Sequence, residues 1–235
     1  MKKNVMMRLA SVMLVLVLLT SSVISGTFAK YVTAENGGDS ARVAKWGVGV
    51  EVDGEMFAEA YEYDDVVAAA VGGNTSVEAY NGTDKLVAPG TAGEMVDIKL
   101  KGVPEVDVKV TYEATVTFDR WAVTDDNFYC PLVLTINGTD YYMNDFADAA
   151  AAKTFVENVI NGYSAEYNAN TNLETDPTVL GDVLTISWSW PYETGADAAA
   201  IAANDKRDTE LGDLAAAGQA STIAVDVICT VTQVD

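Results

Sequence analysis

One stretch narrows the folds open to this chain more than any other. Between residues 106 and 118 every second residue is apolar: Val106, Val108, Val110, Tyr112, Ala114, Val116 and Phe118 fall on one side, with Asp107, Lys109, Thr111, Glu113, Thr115 and Thr117 on the other. A helix would scatter those side chains round its circumference, whereas an extended backbone lays them on one face against a core and turns the polar set to water. The same period recurs in Val96, Ile98 and Leu100, in Cys130, Leu132, Leu134 and Ile136, in Leu184, Ile186, Trp188 and Trp190, and in Ile223, Val225, Val227, Cys229 and Val231. Earlier in the chain Ala44, Trp46, Val48, Val50 and Val52 alternate with Lys45, Gly47, Gly49 and Glu51, and this predicts a half-buried first strand. Asn137-Gly138 is a two-residue hairpin signal, because both residues tolerate the positive φ that such a turn requires.

Helical periodicity is convincing in one place only. Phe155, Val156, Val159, Ile160 and Tyr163 form a 3.6-residue stripe that ends near Gly162, so an inserted helix is expected over about 145–163, capped by Asn144 or Asp145. Residues 198–214 are alanine-rich and then charged, which reads as a short helix or a loop. Strands without a βαβ rhythm, plus one helix, predict an all-β chain: an antiparallel, jelly-roll-like β-sandwich with one inserted helix.

The first 29 residues read as an address rather than as part of that fold. Residues 1–8 are basic and residues 9–24 are almost unbroken apolar. Thr27 and Ala29 then supply the small side chains that a signal peptidase needs for a cut after Ala29, leaving Lys30 first. The competing reading is an uncut transmembrane anchor, but the Ser-Ser and Ser-Gly-Thr segments end the apolar run where a peptidase site belongs. Expected organisation is therefore a cleaved signal peptide (1–29), an extended N-terminal segment and linker (30–41), and a single sandwich domain (42–235). The mature protein is expected outside the cell, secreted into the extracellular matrix or at the cell surface, with no membrane attachment after cleavage.

Charge removes several function classes. The chain holds 14 Lys+Arg against 35 Asp+Glu and has no His, for a net charge of −21. Loss of Lys2, Lys3 and Arg8 with the leader takes this to −24. Such acidity without a basic cluster argues against nucleic acid as a partner. Absence of His removes Ser-His-Asp and Cys-His nucleophile pairs and the His-based zinc proteases, so no catalytic residue, metal ligand or cofactor site is expected and the protein is read as a non-enzyme.

The remaining candidates are weaker. Residues 204–213 are the densest oxygen-ligand cluster, yet they lack EF-hand spacing and contain Lys206-Arg207, so a solvated capped loop around Asp205 to Asp208 is favoured over calcium. Acid groups at residues 61–65 and 125–127 are pairs expected by chance in so acidic a chain. Trp188 and Trp190 share a face and suit either a core or a sugar-stacking surface, the latter giving a glycan-binding module as an alternative function. Sequons at Asn74, Asn81 and Asn137 carry little weight. In an exported protein Cys130 and Cys229 permit one disulfide closing a long loop, and equally a pair of buried thiols, since both fall on apolar faces.

Four segments together resemble the TasA/camelysin family, secreted proteins of Gram-positive bacteria exported with a dedicated type of signal peptide. They are Gly26-Thr27-Phe28-Ala29-Lys30-Tyr31, Asp39-Ser40-Ala41-Arg42-Val43-Ala44-Lys45-Trp46, Val87-Ala88-Pro89-Gly90-Thr91 and Asp208-Thr209-Glu210-Leu211-Gly212. Many members carry two aromatics and then Asp after the cut, where this chain has Lys30-Tyr31-Val32-Thr33. The resemblance implies a jelly-roll-like sandwich whose donor strand, Tyr31, Val32 and Thr33, adds to the next subunit. The product would be a head-to-tail homopolymer, an extracellular biofilm-matrix fibre. The resemblance also brings a metallopeptidase activity, the other alternative, which a chain without His supports poorly.

Overall fold

A computed structural model describes residues 42–53, 55–61, 76–93, 96–123 and 127–234. The chain divides into two units, 1–46 and 47–235. Of the first, only residues 42–46 are described; they form no strand, with Val43 and Trp46 exposed.

The second unit is mainly β and antiparallel throughout. Its strands are β1 (Val48–Asp53), β2 (Ala60–Tyr61), β3 (Val77–Glu78), β4 (Val96–Gly102), β5 (Val108–Asp119), β6 (Ala122–Val123), β7 (Asn127–Phe128), β8 (Val133–Ile136), β9 (Thr139–Tyr142), β10 (Ser164–Tyr167), β11 (Leu184–Ser189) and β12 (Thr222–Gln233). A five-stranded sheet runs β1-β4-β11-β8-β9 and a three-stranded sheet runs β10-β5-β12, with β2-β3 and β6-β7 as short ribbons. Ile98, Leu100, Leu134, Ile136, Leu184, Ile186 and Trp188 of the larger sheet join Val108, Val110, Tyr112, Ala114, Val116 and Phe118 of the smaller in one hydrophobic cluster. Period-two patterning therefore did what it physically should: each alternate apolar side chain of β5 and β11 left water. The hairpin signal also holds, with Asn137 (φ +46°) and Gly138 (φ +73°) joining β8 to β9.

β5 pairs with β12 along its whole length but with β10 only over residues 108–111. Alongside the rest of that edge lies helix α1 (Ala149–Asn161), which packs against β5. Asn161 Oδ1 accepts the Ala114 N–H at 2.7 Å, Glu157 Oε1 accepts the Val116 N–H at 2.9 Å, and Lys153 Nζ donates to the Val116 carbonyl at 2.9 Å. Four helical residues rise about 6 Å and two strand residues about 6.8 Å, so Glu157 and Asn161 keep step with Val116 and Ala114, while Lys153 adds a second bond to Val116. Three helical side chains replace a missing neighbour strand and close an edge that would otherwise template aggregation.

Several expectations need correction. Among the described residues there are three α-helices, not one: α2 spans Pro177–Asp182 and α3 spans Ala198–Ala216. Asn144 and Asp145 belong to a 3₁₀ turn, and Asp148 caps α1 by accepting the Ala151 N–H, so the helix begins at Ala149. Val50 and Val52 of β1 are 44% and 63% exposed although they stand opposite buried Leu100 and Ile98, because β1 is the last strand of its sheet. The inner face of β12 is likewise only half-buried from Ile223 to Val231. Cys130 and Cys229 are both free: Cys130 is fully buried, and Cys229 lies half-buried on β12 opposite Tyr112. Among the described residues no helix is long and apolar enough to cross a membrane.

Candidate functional site

The Ala-rich segment from 198 folds as a continuous helix because Asp197 caps it, accepting the Ala199 and Ala200 N–H groups at 3.0 and 2.9 Å, and because alanine has the best helix propensity. One turn further on, Asn204 Nδ2 ties it to the Thr194 carbonyl at 2.6 Å. Leu211 is its one buried residue, and Asp208 lies on the turn before it. Asp208 is thus held half-buried on a helix and does not belong to a calcium-type loop.

Three other segments meet it there. Trp121 and Tyr129 flank the β6-β7 ribbon, closed by the Tyr129 N–H to the Trp121 carbonyl at 3.1 Å. Trp190 follows β11 and is held by backbone bonds to the 88–93 loop: Gly90 N–H to the Trp190 carbonyl at 2.8 Å and Trp190 N–H to the Thr91 carbonyl at 2.8 Å. That loop is the Val87-Ala88-Pro89-Gly90-Thr91 segment. Its Thr91 is fully buried, with the hydroxyl donating to the Ala88 carbonyl and accepting the Ala88 N–H.

Tyr129 donates to Asp208 Oδ1 at 2.6 Å and Trp190 Nε1 reaches Oδ2 at 3.4 Å. The Arg207 guanidinium lies over the Tyr129 ring, 5.4 Å from its centre. Trp121 and Trp190 are tilted neighbours at 5.9 Å. Burial raises the Asp208 carboxyl above the usual aspartate range, a shift that the Tyr129 and Trp190 hydrogen bonds oppose. Burial and the Asp208 hydrogen bond also push the Tyr129 phenol upward, so it stays a donor at neutral pH. Above this group opens a cavity of about 480 Å³, walled by Phe57, Leu86, Trp121, Trp190, Leu211 and Ile223, with Asp208 in its lining and Asp84 and Lys85 exposed at the side.

Other sequence candidates are dispersed. Ala29, Lys30, Tyr31, Val32 and Thr33 lie outside the described residues, as do residues 62–65 and 124–126. Trp188 is 1% exposed, tilted against Phe57 and edge-on to Tyr61, and its Nε1 donates to the Met56 carbonyl; Trp190 is 4% exposed. Neither indole offers an open face of the kind a sugar stacks on. Tyr61 is a structural clamp, donating to the Leu86 carbonyl at 2.9 Å and accepting the Ala58 N–H at 3.0 Å. Among the described residues no three Cys, Asp or Glu side chains gather at metal-binding distance. Sequence reasoning missed the Tyr129, Asp208, Trp121 and Trp190 group, since its polar pair is 79 residues apart in the chain. The only available signal was a carboxylate one turn from an apolar residue of α3.

Compared with protein-family models, curated proteins and solved structures, this chain matches none.

Proposed function

We propose that the protein is a secreted structural subunit of an extracellular fibre, its jelly-roll-like sandwich extended head to tail by strand addition. The observation that carries this reading is β12. Among the described residues this strand of 12 residues pairs on one side only, with β5, and its apolar face of Ile223, Val225, Val227, Cys229 and Val231 is half-exposed. A long, apolar, unpaired edge is what monomeric proteins avoid, and what strand addition uses: main-chain hydrogen bonds supply affinity and alternate side chains supply fit. The other side of β5 is taken by the four-residue β10 and by α1, so among the described residues β12 is the long open edge of this sheet, which favours unbranched growth. Head-to-tail contact of this kind is heterologous and need not close. The proposed donor is residues 31–33 of a second copy, freed by cleavage between Ala29 and Lys30.

Electron microscopy of the protein purified from culture medium tests the reading. Unbranched filaments are expected, and particles that remain monodisperse at every concentration would overturn it.

A further inference from the structure

We infer that the cavity over Asp208 is a binding site for an organic cation, a primary ammonium group carried on an apolar body. Its volume, about 480 Å³, lies in the range of small-ligand pockets, and its composition is that of such pockets: apolar and aromatic walls with few polar groups. The polar group that matters is a carboxylate with acceptor capacity left over. Asp208 receives one short bond from Tyr129 and one long bond from Trp190, while an ionised carboxylate offers about four lone-pair sites.

No cation of the described residues neutralises it. Arg207, next in sequence, is turned onto the Tyr129 ring, and Lys85 at the side of the cavity is paired with Glu55 at 3.1 Å. The other charged groups nearby, Asp205 and Asp84, are acidic. A half-buried carboxylate without a cation pays a desolvation cost that a bound ammonium would recover. The apolar walls, Phe57, Leu86, Leu211 and Ile223 with the covered indoles of Trp121 and Trp190 behind them, suit the apolar body. Burial raises the Asp208 carboxyl, and occupation by an ammonium would draw it back down.

The ammonium can come from a free amine or from another copy of this chain, whose proposed mature start, Lys30-Tyr31, combines amine and apolar body. This site does not rest on the fibre reading. Calorimetric titration of the purified protein with phenethylamine, with its neutral counterpart 2-phenylethanol, and with the peptide Lys-Tyr-Val-Thr separates the cases. Phenethylamine should bind at least roughly tenfold more tightly than the alcohol, the margin of a charge-assisted hydrogen bond. Its binding should strengthen as pH rises and Asp208 ionises. D208N should abolish the preference for the amine while keeping the thermal melt of the parent. A215W, which fills the cavity from an exposed position of α3, should block both compounds. Tighter binding of the peptide than of phenethylamine assigns the cation to another copy, and the reverse assigns it to a free amine. Equal affinity for amine and alcohol, or no binding by any probe, overturns the inference.

Discussion

Glu157 and Val116 stand to each other as two strand residues normally do: the Val116 N–H, in a strand, is received at 2.9 Å by a carboxylate from a helix 41 residues on. Lys153 completes the substitution by bonding both to Glu157 and to the Val116 carbonyl, each at 2.9 Å. Replacing Glu157 by Ala leaves the Val116 N–H unpaired and should cost about 1–3 kcal/mol of stability. In urea unfolding this would appear as a lower midpoint at unchanged slope. Glu157→Gln keeps an acceptor and should cost less.

The same pair sets an acid dependence. Lys153 and the Val116 N–H both favour the ionised form, so the folded carboxyl titrates below its ordinary 4.5. A depressed acid stabilises the fold fully above its unfolded value and loses that contribution as pH falls through the folded one. Glu157→Gln should therefore flatten the acid limb of the stability curve below pH 4.5. An unaltered limb would mean that other carboxylates set it.

The strands were legible because burial imposes period two on sequence, and β5, β8 and β11 obey it residue by residue. Helix α3 was legible only as a short helix or a loop over 198–214, because 19 residues with one buried side chain leave almost no amphipathic trace; its Asp197 cap and alanine content mark it. The exposed Val50 and Val52 show the complementary failure: period two reports which side of a strand is apolar, and is silent on whether the sheet continues far enough to cover it. Tyr129 and Asp208 meet through tertiary packing of a ribbon on a helix, which no local pattern encodes.

The two cysteines should differ in reactivity. Burial raises both thiols, and Cys130 is fully enclosed whereas Cys229 is half-open on the edge strand. Reaction requires thiolate and access. Iodoacetamide at mildly alkaline pH should modify Cys229 slowly and spare Cys130 until denaturant is added, as read by peptide mass spectrometry. Recovery of a disulfide-linked Cys130–Cys229 peptide pair would contradict the free thiols described above.

Glycines at 93 and 212 should respond to alanine with opposite sign. A methyl at Gly93 would meet the Met56 carbonyl and the Trp188 indole nitrogen, which are hydrogen-bonded to each other. Overpacking there should cost about 1–3 kcal/mol. Gly212 sits inside α3 with nothing near a new Cβ, so Gly212→Ala should add about 0.5–1 kcal/mol through helix propensity. Thermal melts of the two variants decide it, at about 2–4 °C per kcal/mol for a chain of this size.

Assembly gives the last prediction. Tyr31-Val32-Thr33 has strand propensity and is followed by Ala34-Glu35-Asn36-Gly37-Gly38, a polar, glycine-containing sequence. Strand-forming residues ahead of such a sequence have little to gain from their own domain and much from an unpaired neighbour edge, and β12 offers one of 12 residues. Most chain termini fray without a partner, so the two fates must be separated by experiment. Deleting residues 30–36 removes the donor while leaving the core of β4, β5, β8 and β11 untouched. The truncated protein should keep its thermal transition and remain monomeric by light scattering. Filaments of unchanged diameter from that protein would show that lateral packing of the domains, and not strand addition, drives assembly.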